Sequence, residues 1–324
     1  MGRIRPIDDV LTKQAFIFPG QGSQYAGMGK DLAGNFASAR QVFEEADTAL
    51  GFALSELCFN GPADQLQLTE NTQPAILTVS IAALRALESE GFSKADFVTG
   101  HSLGEYSALV AAGALSLTDA VRTVRARGRY MQEAVPVGVG AMAAILGVGL
   151  EVVVAACAEA AQGQVCSPAN INSPTQVVIA GDAAAIDRAI ELLKERGAKR
   201  AMKLNVSAPF HCALMQPAQA RLAVELKGIT FHDLATPIVT NVDAKPIAAG
   251  PEARDALVRQ VSQPVRWLES VEFLISQGVQ SLVEIGPGKV LSGLARQIDR
   301  SLRCVNVEDR VSLCAARETL GVSG

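Results

Sequence analysis

Gly100-His101-Ser102-Leu103-Gly104 sets a serine between two glycines after an apolar run and before a stretch with helical spacing. This is the G-x-S-x-G elbow, a sharp strand-to-helix turn that lifts the serine hydroxyl out of a sheet. Glycine suits both flanks because the backbones there approach too closely for a β-carbon. At a helix N-terminus, unpaired N–H groups and the helix dipole favour developing negative charge. The residue after an elbow nucleophile commonly donates its N–H to the oxyanion, which makes Leu103 a candidate. A tight turn with a helix-capping serine is the plainer alternative.

A serine hydroxyl is a weak nucleophile at neutral pH and needs a base. The chain has three histidines. His101 adjoins Ser102, and neighbouring side chains on a strand face opposite ways. His232, in Phe231-His232-Asp233, reads as a solvated loop. His211 follows Ser207-Ala208-Pro209-Phe210, a loop expected over the carboxyl ends of the strands, where open α/β sheets bind ligands. Elimination favours His211. Arg127 stands apart from Arg122, Arg125 and Arg129: at about 100° per residue it lies roughly 165° from their stripe, beside Val124 and Met131. An arginine facing the core needs an anionic partner, either an internal carboxylate or a substrate's.

The elements that must position these groups alternate. Ala15–Phe18 reads as a buried strand, Gln73–Leu87 as a helix with Pro74 in its first turn, Asp96–Thr99 as a strand, and Leu103–Ala114 and Leu117–Ala134 as helices. From Gly138 to Asn205 the order becomes β-α-β-β-α-β: strand Ala141–Leu146, helix Leu150–Ala161, strands Gln164–Ile171 and Gln176–Ala180 around a turn at Asn172-Ser173-Pro174, helix Ala183–Arg196 and strand Lys199–Val206. That is the ferredoxin-like pattern. The first rhythm then returns with strand Pro237–Asn241, helix Val261–Gln277, strand Ser281–Ile285 and helix Val290–Gln297. The expectation is an α/β domain with a mostly parallel central sheet, residues 1–137 and 206–324, interrupted by a smaller ferredoxin-like one, residues 138–205.

Composition excludes several classes. Apolar residues make up 49% of the 324, charged residues 19%, and the net charge is −4, which fits neither a disordered chain nor a basic nucleic-acid binder. The six cysteines form no zinc-spaced cluster and read as reduced thiols, and no metal site is expected. Residues 1–13 lack the apolar core of a signal peptide. The apolar stretch Ala141–Ala158 contains Glu151, Gly147 and Gly149 and reads as strand plus helix, so no membrane association is expected. Gly286-Pro287-Gly288-Lys289 lacks the upstream glycine and the following Ser/Thr of a phosphate-binding loop. A cytoplasmic monomer is expected.

Phe18-Pro19-Gly20-Gln21-Gly22-Ser23-Gln24, Thr72-Gln73-Pro74-Ala75, Gly100–Leu109 (GHSLGEYSAL), Ala208–Met215 (APFHCALM) and Glu284–Leu291 (EIGPGKVL) occur in one order with family spacing. From about Gln14 to its last helices, the chain resembles the malonyl-CoA:acyl carrier protein transacylases of dissociated (type II) fatty acid synthesis. The resemblance implies an active site in the cleft between an α/β-hydrolase-like domain and a ferredoxin-like insertion. It implies Ser102 as the nucleophile that carries malonyl as an ester. His211 would be its base, oriented by the backbone carbonyl of Gln260 rather than by a triad acid. Arg127 would grip the malonyl carboxylate, and the Gln21 and Leu103 N–H groups would form the oxyanion hole. Leu103 and Phe210 would narrow the pocket against methylmalonyl. The first dozen residues fall outside the pattern and read as a dispensable arm.

The implied substrates are malonyl-CoA and the phosphopantetheine thiol of acyl carrier protein, with no bound cofactor. An acidic carrier docking on an acidic chain needs a local basic patch. The Arg122/Arg125/Arg129 stripe and the Lys194, Arg196, Lys199, Arg200 cluster are candidates. A serine hydrolase or thioesterase on the same elbow, a discrete polyketide-pathway acyltransferase and a catalytically silent carrier-binding module are the alternatives.

Overall fold

The computed structural model describes residues 13–206 and 208–321; the arm expected over the first dozen residues lies outside them. Ten strands form two sheets among the described residues. Strands β1 (Lys13–Phe18), β2 (Phe97–Gly100), β7 (Ile238–Val239), β8 (Pro246–Ile247), β9 (Val279–Ile285) and β10 (Arg303–Val307) build a six-stranded sheet in the order β10-β9-β1-β2-β7-β8. All its pairings are parallel except the antiparallel β7–β8, so the fold is α/β with a mixed central sheet.

Alternation along β1 explains why this sheet is covered on both sides. Phe16 and Phe18 enter one apolar cluster, with the helix Thr69–Ser89, while Ala15 and Ile17 enter a second, with Trp267, Val271 and Leu274. Side chains at a period of two alternate faces, and a strand apolar at four consecutive positions, Ala15–Phe18, rests between two apolar layers. The carboxyl ends of β1 and β2 open side by side into the Pro19–Ser23 turn and the Ser102 elbow.

The second sheet comprises β3 (Gly140–Leu146), β4 (Cys166–Ser173), β5 (Gln176–Asp182) and β6 (Arg200–Lys203), in the order β4-β5-β3-β6 with every pairing antiparallel. Ala143, Ile145, Val177 and Ile179 pack against the helices Leu150–Ala161 and Ala183–Glu195. On the opposite face, Met142, Val178 and Ala180 join the large core cluster, so this sheet forms one wall of a cleft. The apolar stretch from Ala141 is indeed strand plus helix, and among the described residues no helix is long and apolar enough to cross a membrane.

Several boundaries differ from the sequence reading. No helix spans 261–277: one helix runs Gly250–Gln260, another Trp267–Ser276, and Val265 between them bridges to Asn170 on β4. Pro264 explains the break, since proline disfavours helical backbone in the residue before it. Pro74 lies inside the helix Thr69–Ser89 rather than in its first turn. The extra turn is formed by the Asn71 and Thr72 N–H groups, which both donate to the Leu68 carbonyl at 2.8 Å. Asn172 and Ser173 continue β4, which leaves the turn to Pro174 and Thr175, and β6 is only four residues long.

Candidate active site

The elbow forms because two backbones touch. A β-carbon on Gly100 would sit 2.0 Å from the Gly104 carbonyl carbon, and one on Gly104 would sit 2.0 Å from the Phe18 carbonyl oxygen. Only glycine fits either place, and the crossing forces Ser102 to φ 52, in the left-handed region. Asn241 clamps the turn from behind. Its Oδ1 accepts the Ser102 N–H at 2.7 Å, and its Nδ2 donates to the Gly100 carbonyl at 2.7 Å. With the Ser102 N–H taken, the Leu103 N–H stands at the head of the helix Gly104–Ala111 without an intrahelical partner, and Leu103 lines the cleft.

His211 Nε2 lies 2.7 Å from Ser102 Oγ, and its Nδ1 lies 2.8 Å from the backbone oxygen of Gln260. A carbonyl can only accept, so Nδ1 carries the proton and Nε2 is left to accept from the serine hydroxyl. Gln260 ends its helix, where carbonyls have no intrahelical partner; that frees its oxygen for the histidine. His211 is 4% exposed, and burial, reinforced by the Arg127 charge, pushes it down to about 3. The ring is therefore neutral at pH 7, as a proton acceptor must be.

Arg127 is 2% exposed. Its Nη1 donates to Gln73 Oε1 at 2.7 Å, and its Nη2 donates to Gln260 Oε1 at 2.8 Å and to Ser102 Oγ at 3.2 Å. Its Nε has no partner, and among the described residues no carboxylate forms a salt bridge with it. Neutral amide oxygens hold the guanidinium in place without satisfying its charge. Gln21, Leu103, Met142, Phe210 and His211 line, with Ser102 and Arg127, one cavity of about 130 Å³ between the two sheets. Such a cavity can accept a small acyl group with its carbonyl over the serine and an anionic end toward the guanidinium.

The structure thus gathers Ser102, His211, Gln260, Arg127, Gln21 and Leu103 around one point. His101 also lines the cavity, but its Nε2 is engaged by Asn172 Oδ1 at 2.9 Å, and His232 is exposed on its loop. Sequence reasoning passed over Gln73, Asn241 and Glu105, all buried. The two basic clusters are less free than a bare sequence suggests. Arg125 stacks over Phe52 at 4.2 Å, Lys194 pairs with Glu191, and Arg196 pairs with Glu159. Among the described residues no group of histidines, cysteines and carboxylates has the arrangement of a metal site.

The family model of the acyl transferase domain matches residues 15–315. The malonyl CoA-acyl carrier protein transacylase of Escherichia coli (strain K12) is 51% identical over 308 residues, which is 95% of this chain and 100% of that one. The chain belongs to the malonyl CoA-acyl carrier protein transacylase family. Among solved members, an acyl carrier protein S-malonyltransferase from Vibrio cholerae O1 biovar eltor superposes with a TM-score of 0.92 at 49% identity, covering 94% of this chain and 99% of that one. A malonyl-transacylase solved in complex with its type II PKS acyl-carrier protein gives 0.92 at 50% identity, with the same coverage. The family match spans both sheets, the elbow and the His211 loop.

Proposed function

We propose that this chain moves the malonyl group of malonyl-CoA to the phosphopantetheine thiol of an acyl carrier protein through a malonyl ester on Ser102, supplying units for fatty acid synthesis. The observation that carries the reading is a buried guanidinium, without a salt bridge among the described residues, 3.2 Å from the Ser102 hydroxyl. A thioester whose acyl group ends in a carboxylate fits both groups at once, and a charge-assisted Arg–carboxylate contact is strong.

Ser102 Oγ attacks the thioester carbonyl as His211 Nε2 takes its proton. The negative oxygen of the tetrahedral intermediate meets the Gln21 and Leu103 N–H groups. Collapse breaks the C–S bond; the departing sulfur receives the proton from His211 and leaves as coenzyme A. The carrier thiol then gives its proton to His211 and attacks the ester carbonyl, and Ser102 departs with that proton returned. The cycle is ping-pong. As written it uses no resident cofactor or metal, and every group comes from one chain, so a monomer suffices. Malonyl is preferred to acetyl because acetyl leaves Arg127 unpaired, and Leu103 and Phe210 crowd a branched methylmalonyl.

We further infer that residues 138–205 are a ferredoxin-like subdomain inserted in an α/β-hydrolase-like domain of residues 1–137 and 206–324. The β-α-β-β-α-β order and the antiparallel β4-β5-β3-β6 arrangement support this. The carrier protein and malonyl-CoA are then partners at the cleft, and the expected compartment is the cytoplasm. The test is to mix the protein with malonyl-CoA and phosphopantetheinylated carrier protein and weigh the carrier. Malonyl on the carrier supports transfer. Free malonate with an unmodified carrier would make the protein a hydrolase.

A further inference from the structure

The helix Gly104–Ala111 is buried almost all round, yet its first turn carries Glu105, 1% exposed. One carboxylate oxygen, Oε2, accepts the Asn241 N–H at 3.1 Å and a Gln260 Nε2–H at 2.8 Å. Among the described residues no salt bridge reaches it. A buried carboxylate without a cation is costly, and the cation here stands one amide away. Gln260 donates from Nε2 to Glu105 and to the Ser102 carbonyl, while its Oε1 accepts from Arg127. An amide has one donor end and one acceptor end, so an acceptor on one side and a guanidinium on the other fix its orientation.

We propose that Glu105 is a positioning residue for acyl-group selection, which holds Arg127 aimed at the acyl site through the Gln260 amide. The inference rests on the transfer reaction proposed above. A direct Glu105–Arg127 ion pair would occupy the guanidinium edge that the substrate carboxylate needs. The interposed amide keeps acid and cation associated and leaves that edge open. Without the acceptor at position 105, the Gln260 amide loses the shortest of its three donor contacts, the others being to the Ser102 carbonyl at 2.9 Å and Asn241 Oδ1 at 3.5 Å, and Arg127 loses a fixed anchor. The elbow loses the bond from the Asn241 N–H to Glu105 but keeps both Asn241 side-chain bonds, to Ser102 N and to the Gly100 carbonyl. The larger loss therefore falls on a substrate with a carboxylate.

The test compares acylation by malonyl-CoA and by acetyl-CoA in wild type, Glu105→Leu, Glu105→Asp and Glu105→Gln. Leaving a buried donor without its acceptor costs about 1–3 kcal/mol, roughly 5- to 150-fold. Glu105→Leu should lower kcat/KM for malonyl by that factor, mainly through KM, with acetyl within about threefold. Glu105→Gln presents an oxygen at the same place and should stay within about threefold of wild type on both substrates. Glu105→Asp, too short to reach both donors, should show a smaller loss confined to malonyl, and it gives the answer if the leucine variant does not fold. The malonyl-to-acetyl ratio is independent of the fraction of active protein. An equal fall on both substrates, an unchanged ratio, or a glutamine variant as impaired as leucine overturns the proposal. A wild type that forms no malonyl-enzyme, or shows no preference for malonyl, overturns the transfer reaction instead.

Discussion

Replacing Arg127 by methionine removes the positive charge while keeping most of the side chain's length. In the wild type Arg127 is 2% exposed, its guanidinium anchored by two amide oxygens at 2.7 and 2.8 Å and without a salt bridge among the described residues. A malonyl carboxylate entering that position forms a desolvated ion pair, and deleting one member of such a pair costs about 3–5 kcal/mol, or roughly 150- to 5,000-fold. The cleft opens toward solvent at Ser102, so the lower end applies, and kcat/KM for malonyl-CoA should fall about 10²-fold. Acetyl-CoA has no carboxylate, so its transfer should be unchanged or faster, and the preference for malonyl should collapse. Stability changes in both directions. Gln73 Oε1 and Gln260 Oε1 each lose a donor at about 1–3 kcal/mol, and the cost of burying a lone cation disappears. Thermal unfolding measured beside the kinetics separates the two effects. The assay is single-turnover acylation with each acyl-CoA, read by mass. Equal losses for malonyl and acetyl would refute the reasoning and make Arg127 a structural residue.

His211→Ala should slow acylation by orders of magnitude while His232→Ala leaves it unchanged; the reverse ranking in a rapid-quench assay would discard the assigned base. Gly104→Ala should abolish activity and lower expression of folded protein, because its β-carbon would lie 2.0 Å from a backbone oxygen; a fully active variant would mean that the strand–helix crossing is loose. Burial pushes His211 down to about 3 from its ordinary 6.5, and Glu105 up to about 7 from 4.5. Between pH 6.5 and 3 the unfolded histidine takes up a proton that the folded one refuses, so the stability it contributes is complete above 6.5 and lost as pH falls to 3. Glu105 runs oppositely: its contribution is complete below 4.5 and lost as pH rises through 7. His211→Gln should therefore lose less stability than wild type between pH 6.5 and 4, followed as Tm, and parallel Tm–pH curves would contradict the depressed value.

The elbow was legible in the sequence because its constraint is local: two glycines, a serine between them, and apolar strand and helix on either side. Arg127 was legible as an anomaly of phase, a cation on the apolar side of a helix whose other arginines share a stripe. Its lack of a direct salt bridge was not, because that depends on Gln73 and Gln260 converging from 54 residues upstream and 133 residues downstream. Glu105 left one trace, a charge in the helix GEYSALVA that is otherwise apolar or small. Asn241 left none, since an asparagine after a short strand is ordinary in a turn and gains meaning only when β7 lies beside β2. The misplaced helix at 261–277 has the same origin. Its apolar spacing is real, but Val265 donates its N–H to Ala169 and accepts the Ile171 N–H on β4, a contact across nearly 100 residues that periodicity cannot register.

Intact-mass analysis after brief exposure to malonyl-CoA, followed by peptide mapping, addresses the covalent intermediate most directly. The account predicts one malonyl group per chain, on the peptide carrying Ser102, discharged by a carrier thiol and absent from Ser102→Ala. An adduct that persists in the alanine variant, or maps to another residue, would contradict it.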